Sequence, residues 1–280
     1  MDLRILCPQW GQEHLETEVF FAKVKDAGYD GVDTWLPGNP DERKHFIRLL
    51  GQYGLSMISH QHQASGNTIN EFCRSFEYYL QLSLESEPLL ITSHSGRDYF
   101  TLDEQLQVID TAENFSAKNN IRVVHETHRG RIGFGPANAR ELFRLRPDMQ
   151  ITADFSHWVC VTESYLENFE SELTEAITRT AHIHARVGFT QGPQVPDPRS
   201  LFWQKQVQFF LNIWGKILTQ REANGSIIST ITPEFGPPPY MWTSVTDNNP
   251  VADQWGINLY MKDLLKEKFE EFVTGGKNYL

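Results

Sequence analysis

The sequence predicts a closed (β/α)8 barrel, the TIM-barrel class of α/β protein, formed as a single domain over residues 1–280. Short apolar runs typical of buried strands alternate eight times with longer amphipathic segments typical of helices. Strict alternation of this kind indicates a parallel sheet. The turn after the first strand, Pro8–Gln12, lacks the glycine-rich fingerprint that usually announces an open dinucleotide-binding sheet. Eight strand–helix units in this length therefore favour the closed barrel.

The predicted strands are short and rich in branched apolar residues. They span Leu3–Cys7, Gly31–Trp35, Leu55–His60, Pro88–His94, Ile121–Glu126, Met149–Asp154, Ala181–Arg186 and Ile227–Glu234. The predicted helices carry apolar residues near helical spacing. They span about His14–Ala27, Arg43–Tyr53, Ile69–Leu84, Leu102–Lys118, Pro136–Leu145, about Glu163–Thr178, about Leu201–Ala223 and about Val251–Val273. No change of composition between these segments marks a domain linker.

Composition narrows the classes of protein to consider. Hydrophobic residues make up 40% and charged residues 22% of the chain, which is ordinary for a globular protein. Three widely spaced cysteines imply no disulfide framework and favour the cytoplasm. We find no leader pattern and no apolar stretch of about 18 residues, so we expect no membrane partner. The net charge of −11 disfavours nucleic acid, because a phosphate backbone requires a basic footprint.

Three carboxylates and one histidine fall at or near the ends of different predicted strands. They are Glu126, Asp154, His184 and Glu234. The carboxyl ends of barrel strands meet at one rim, so these side chains are expected to converge there. Any one of the carboxylates could simply cap the following helix, but all four residues together form the parts of a metal site. Mostly oxygen ligands with an open position suit Mn²⁺, Mg²⁺, Co²⁺ or Zn²⁺, and the sequence does not rank them.

Further polar residues occupy the same strand ends and are predicted to contact substrate: His60, His94, His128, His157 and Arg186. Because side chains alternate along a strand, His128 shares a face with Glu126. The sequence allows three interpretations of His60 and His94 and does not rank them. They contact substrate, they bind a second metal, or they are hydrogen-bonded histidines of the rim.

These residues resemble a known family. The chain is similar to the xylose-isomerase-like TIM barrels, a superfamily of sugar isomerases and epimerases that also includes zinc-dependent abasic-site endonucleases. The similarity covers essentially the whole chain, and its motifs are Glu126 closing the fifth strand, Asp154-Phe155-Ser156-His157, His184 before Arg186, and Glu234-Phe235-Gly236. The resemblance implies that Glu126, Asp154, His184 and Glu234 are metal ligands.

The resemblance also implies a function. The expected protein is a divalent-metal-dependent isomerase or epimerase of a sugar or sugar phosphate, and a homo-oligomeric assembly is compatible with it. In ketose epimerases of this family, two glutamates resembling Glu126 and Glu234 act as an acid/base pair, while a histidine resembling His157 and an arginine near Arg186 hold substrate oxygens. A divalent ion would stabilise the enediolate formed when the substrate loses a proton. Lys205 and Lys216 fall inside a predicted helix, so proton transfer is favoured over a lysine-dependent hydride shift.

Three alternatives stay open. A metal-dependent dehydratase of a keto-polyol would begin with the same proton abstraction. An abasic-site endonuclease of the same superfamily needs an Asp-x-His pair after the seventh strand, where this chain has Asp197 followed by Arg199. That difference and the acidic charge make the nuclease the weaker reading. The third alternative is a metal-binding barrel without catalysis.

Overall fold

The computed structural model describes residues 1–275, in which eight parallel strands close into a barrel surrounded by helices. Strands that follow one another along the chain are neighbours in the sheet. The first strand closes the barrel against the eighth, with paired positions running from Asp2 and Ile228 to Ile5 and Ile231. The predicted (β/α)8 barrel is confirmed.

The elements are as follows. Strands β1 to β8 span Asp2–Pro8, Gly31–Thr34, Ser56–Gln61, Ile91–Ser93, Val123–Glu126, Ile151–Ala153, Thr180–His184 and Ile228–Thr232. Helices α1 to α9 span Thr17–Asp26, Pro40–Tyr53, Ile69–Ser83, Leu102–Asn119, Pro136–Leu145, Phe155–Thr162, Glu170–Arg179, Gln204–Ala223 and Gln254–Gly275. Single 3₁₀ turns at Leu84–Ser86 and Leu201–Trp203 adjoin α3 and α8.

The sixth unit differs from its prediction, because two helices replace the single helix expected at about Glu163–Thr178. The additional helix, α6, starts directly after Asp154, whose side chain accepts a hydrogen bond from the Ser156 backbone nitrogen at 3.1 Å. Such a cap satisfies a donor that the first turn leaves free. The helix ends at Glu163, which adopts a left-handed conformation. As a consequence, His157 lies on the first turn of α6 beside the barrel rim.

Helix α2 begins three residues earlier than predicted. The Asn39 side chain accepts hydrogen bonds from the backbone nitrogens of Asp41 and Glu42, and Pro40 occupies the first helical turn. Proline is well suited there because its missing N–H would have no intrahelical partner. The predicted fourth and sixth strands were too long at both ends. In the described residues we find no helix that combines the length and the apolar character needed to cross a membrane.

The barrel interior changes from apolar to polar along the strands. One buried apolar cluster consists of Leu6, Ile58, Leu90, Val124 and Ala181. Val124 and Glu126 are two residues apart, as are Ile58 and His60, so each pair shares a strand face. The apolar member lies deeper along the strand and the polar member lies nearer the carboxyl end. This arrangement packs the base of the barrel and gathers the polar side chains at the C-terminal rim.

Candidate active site

The four predicted metal ligands converge at the rim. Glu126 ends β5, Asp154 precedes α6, His184 ends β7 and Glu234 follows β8. One donor atom from each lies within 4.8 Å of the others. All four side chains are buried, with Glu234 the most exposed at 6%. Their convergence follows from the closed barrel, which brings the ends of non-adjacent strands to one point.

Several buried atoms of this cluster lack hydrogen-bond partners. His184 Nδ1 lies 2.9 Å from Glu234 Oε2 and 3.4 Å from Glu126 Oε2, but hydrogen-bonds to neither. Both carboxylate oxygens of Glu126 are likewise without a hydrogen-bond partner. Unsatisfied buried polar atoms are costly, and a bound cation could satisfy several of them together. Three carboxylates and one imidazole nitrogen fit a divalent cation such as Mn²⁺, Mg²⁺, Co²⁺ or Zn²⁺.

Burial and charge shift the pKa values of this cluster. Burial raises the pKa of Asp154 to about 6, although the nearby Arg186 opposes the shift. Burial would lower the pKa of His184, but the carboxylates of Glu234 and Glu126 outweigh it and raise that pKa well above its usual value. Burial would raise the pKa of Glu126, but His94 and His184 hold it well below its usual range. The carboxylates therefore favour a protonated His184 ring. A divalent cation bound between these groups could replace the proton on Nδ1.

Arg186 contacts two of the three carboxyl groups of the cluster. Its Nη2 atom lies 2.9 Å from Asp154 Oδ2 and also donates a hydrogen bond to Glu234 Oε2. The guanidinium group is buried and lies 4.9 Å from the ring centre of Tyr240 and 5.4 Å from that of Trp10. The Nη1 atom has no hydrogen-bond partner. Arg186 thus orients two of the carboxyl groups of the cluster.

Four predicted histidines form an arc beside Glu126. Their ring centres are 4.6 Å apart for His60 and His94, 4.4 Å for His94 and His128, and 3.9 Å for His128 and His157. His94 Nε2 lies 3.0 Å and His60 Nε2 lies 3.7 Å from Glu126 Oε2. Burial lowers the pKa of His94 to about 3, which makes it neutral at physiological pH. His157 is fully buried with no partner on either ring nitrogen, so both nitrogens remain for a ligand.

Sequence reasoning missed four residues of this site. Asp33 in β2 accepts hydrogen bonds from His182, His184 and Thr232. The signal that could have found Asp33 is a carboxylate in the interior of a predicted buried strand. The prediction considered only residues at the ends of other strands. His62, Trp10 and Tyr240 also line the site, and the last two come from loops. No periodicity marks a loop residue, so the sequence offered no signal for Trp10 or Tyr240.

A cavity of about 380 Å³ opens over the cluster. This volume lies in the range of small-molecule sites. Its walls include the aromatic rings of Trp10, Trp35 and Tyr240, and its floor includes Asp33 and Glu234. A larger groove of about 1,100 Å³ lies around the N-terminal ends of β4 to β8 and contains none of the predicted site residues. Barrel enzymes work at the C-terminal face, so we assign the smaller cavity as the candidate site.

Comparisons with known proteins identify the fold. No protein-family model and no curated protein sequence matches the chain. Solved structures do match. A 3-keto-D-glucoside 4-epimerase from E. coli superposes with a TM-score of 0.62 at 14% identity, covering 95% of this chain and 100% of that one.

Two further solved structures carry other activities in their names. A probable 3-DHS dehydratase from Bacillus anthracis gives a TM-score of 0.58 at 14% identity, covering 97% of this chain and 98% of that one. Endonuclease IV from Thermus thermophilus gives a TM-score of 0.58 at 12% identity, covering 94% of this chain and 99% of that one.

The fold and the geometry of the site together define the class of protein. The molecule is a (β/α)8 barrel with a buried cluster of carboxylates and histidines at its C-terminal rim. The solved structures that share this fold include xylose isomerase domain proteins and sugar epimerases, at 10 to 15% identity. At these identities the similarity describes the fold, and the activity must be argued from the site.

Proposed function

We propose that this protein is a divalent-metal-dependent isomerase or epimerase that acts on a sugar or sugar phosphate. The chemical step is a proton transfer through an enediolate. The observation that carries the proposal is the convergence of Glu126, Asp154, His184 and Glu234, with donor atoms within 4.8 Å of one another beneath a ligand-sized cavity. The unpartnered oxygens of Glu126 and the unpartnered Nδ1 of His184 support a cation at this point.

A divalent cation held by these four residues would polarise a substrate carbonyl and offset the negative charge of the enediolate. Glu126 takes the proton from the neighbouring carbon, because neither of its oxygens is engaged in a hydrogen bond. Glu234, the second carboxylate, takes a proton from solvent and gives it to the substrate carbon, while Glu126 releases its proton to solvent. Arg186 holds Glu234 and Asp154 in their orientations.

The remaining residues of the cavity bind and enclose the substrate. Arg186 lines the cavity, and its Nη1 atom has no hydrogen-bond partner in the protein and is suited to a substrate oxygen. The ring nitrogens of His157 also lack partners, but His157 is buried behind the cavity lining, with its ring centre 3.9 Å from that of His128. Trp10, Trp35 and Tyr240 offer aromatic faces for the apolar C–H side of a sugar. No lysine of the described residues lines the cavity, and Lys205 and Lys216 both lie in α8. These observations favour proton transfer over a lysine-assisted hydride shift.

A second candidate, a keto-polyol dehydratase, has one specific observation in its favour. The Tyr240 hydroxyl lies 3.4 Å from His128 Nε2 at the cavity wall. His128 Nδ1 lies 2.5 Å from the Arg129 carbonyl oxygen and must donate to it, so Nε2 accepts. Only the tyrosine of this pair has a hydrogen that it can give away, and its hydroxyl could protonate a departing hydroxyl group. A dehydratase would lose that hydroxyl after the shared first proton abstraction.

The abasic-site endonuclease remains the least favoured activity. The side chain of Arg199 forms two hydrogen bonds to Asp197, at 2.8 and 2.7 Å, from the position where a zinc-binding histidine would be required. The Asp197 carboxylate is therefore engaged by its own neighbour.

Isotope exchange tests the proposal. Ketoses, their phosphates and cyclic ketones of the inosose type are incubated with the protein and Mn²⁺ in deuterated water. The proposal predicts deuterium at the isomerised or epimerised carbon. Complete retention of the original hydrogen contradicts it and indicates a hydride shift, whereas a product that has lost water assigns the dehydratase.

A further inference from the structure

We propose that Asp33 is a positioning residue that fixes the orientation and the tautomer of His184, so that His184 presents Nδ1 to a metal ion. The proposal rests on the metal centre of the proposed function. Asp33 was not among the predicted metal ligands. It lies in β2, and the proposal is based on its contacts with residues of β7 and β8.

Three donors converge on one oxygen of Asp33. The Oδ2 atom lies 3.0 Å from His184 Nε2, 3.1 Å from His182 Nε2 and 2.9 Å from Thr232 Oγ1. Asp33 is 5% exposed, so water does not compete freely for these bonds. Because three donors converge on it, Oδ2 of Asp33 acts as a carboxylate acceptor.

The contact with Asp33 assigns the two ring nitrogens of His184 different tasks. An ionised carboxylate only accepts, so Nε2 of His184 carries the hydrogen that it donates to Asp33. In the neutral ring the other nitrogen, Nδ1, then holds the lone pair. Nδ1 is the atom that faces Glu234 and Glu126. Carboxylates commonly orient metal-binding histidines through the second ring nitrogen in this way.

The residues that donate hydrogen bonds to Asp33 are themselves held by the barrel strands. His182 also contacts Thr230 through Nδ1, at 2.8 Å from Oγ1. Thr232 belongs to β8, two residues before Glu234. The network thus joins the strand of Asp33 to the strands that carry His184 and Glu234.

Asp33, His182 and His184 are also close enough to be considered as ligands of a separate ion. Hydrogen bonding explains the geometry better, since the two Nε2 atoms both approach the same oxygen and leave Oδ1 without a partner. A separate ion would instead be expected to lie between the groups. The two readings differ in metal stoichiometry, which can be measured.

The test compares Asp33→Ala, Asp33→Asn and the control Asp30→Asn with the parent protein. Asp30 lies three positions away and accepts a hydrogen bond from the Ile5 backbone nitrogen, outside the site. Mn²⁺ affinity and stoichiometry are measured by competition with a chelator, and the ligand field by the visible spectrum of bound Co²⁺. Circular dichroism and thermal unfolding check the fold of each variant.

We expect Asp33→Ala to bind Mn²⁺ about 10- to 100-fold more weakly at unchanged stoichiometry, with an altered Co²⁺ spectrum. Asp33→Asn keeps an acceptor oxygen and should retain part of the lost affinity, while Asp30→Asn should match the parent. If Asp33→Ala binds Mn²⁺ as tightly as the parent and its Co²⁺ spectrum is unchanged, the positioning role is overturned and the proposed function is not affected. Loss of one whole equivalent with normal affinity for the rest would assign a second ion instead.

A measurement on the parent avoids any dependence on the folding of the variants. Nitrogen-15 spectra of the Zn²⁺-loaded protein, labelled at histidine, report which ring nitrogen of His184 carries hydrogen. The proposal predicts hydrogen on Nε2 and metal at Nδ1, and the opposite tautomer overturns it. A parent protein that binds neither Zn²⁺ nor Mn²⁺ would overturn both this inference and the proposed function.

Discussion

His184 Nδ1 lies 2.9 Å from Glu234 Oε2 in a buried site, yet the two atoms do not form a hydrogen bond. Ligand atoms of Glu126 and Asp154 lie within 4.8 Å of these two groups. A common cation would account for buried polar atoms that lie this close without bonding to one another. This relationship is the basis of the predictions that follow.

Metal affinity should fall as the pH is lowered. A metal requires an ionised Asp154 and a neutral His184, but burial raises the pKa of Asp154 to about 6, and the carboxylates raise that of His184 well above its usual value despite burial. Ion binding must therefore release protons, so a higher pH favours it. Mn²⁺ titrations from about pH 8 to about pH 5 should show the steepest weakening once Asp154 protonates. Affinity independent of pH would contradict these assignments.

Removal of either of the two carboxylates that we propose to be catalytic should nearly abolish turnover. Glu126→Gln and Glu234→Gln each remove a proton-transfer group, which is typically worth about 10²- to 10⁴-fold in rate. Deuterium incorporation from solvent should fall in parallel, while substrate binding should be affected less. Each variant also loses a ligand charge, so rates are compared at saturating metal. Glu141→Gln, at a half-buried position in α5, is the matched control, and a rate loss of equal size there would point to a general effect.

Gly236 should be required for the shape of the cavity. A Cβ atom at this position would lie 2.1 Å from the Trp10 ring, which lines the cavity. Gly236→Ala should displace that ring, raise the KM for the substrate and change tryptophan fluorescence. Gly38→Ala adds the same methyl group where no atom lies within 4 Å, and it should behave as the parent. Unchanged fluorescence and KM in Gly236→Ala would show that Trp10 does not form the wall in solution.

The protein should not cleave nucleic acid. Arg199 engages the Asp197 carboxylate, and the net charge is −11. An abasic-site duplex incubated with the protein and Zn²⁺ should therefore remain intact. Strand scission that requires metal and disappears in Glu234→Gln would promote the endonuclease over the isomerase.

The sequence predicted the barrel and the position of the four-residue cluster because both depend on local pattern and on chain order. Glu126 and His184 end their strands, and closure of the barrel brings those ends together without further information. Asp33 was missed because Thr34 follows it at the end of β2, so it was not read as a strand-end residue. Trp10 and Tyr240 have ring centres 5.0 Å apart although they lie in loops far apart in the chain. Such a contact depends on tertiary structure and leaves no local signature.

Helix α6 could have been predicted more closely. The run from Phe155 to Val161 is largely apolar, and Asp154 is a good helix-capping residue. Our prediction assigned Asp154 to a strand end and a metal site, and did not consider that the same carboxyl group could begin a helix while serving that site. In the structure Asp154 Oδ1 caps α6, whereas Oδ2 contacts Arg186. One side chain thus has two structural roles, which a pattern assigning one role to each residue does not capture.

The most direct test of the metal-dependent assignment is the metal content of Asp154→Ala beside that of the parent. Both proteins are loaded with Mn²⁺, freed of excess ion and examined by elemental analysis, with circular dichroism as the check on folding. We predict about one equivalent in the parent and a large loss in a folded Asp154→Ala, because one of four ligands and its charge are removed. Equal metal content in the two folded proteins would contradict the proposed centre.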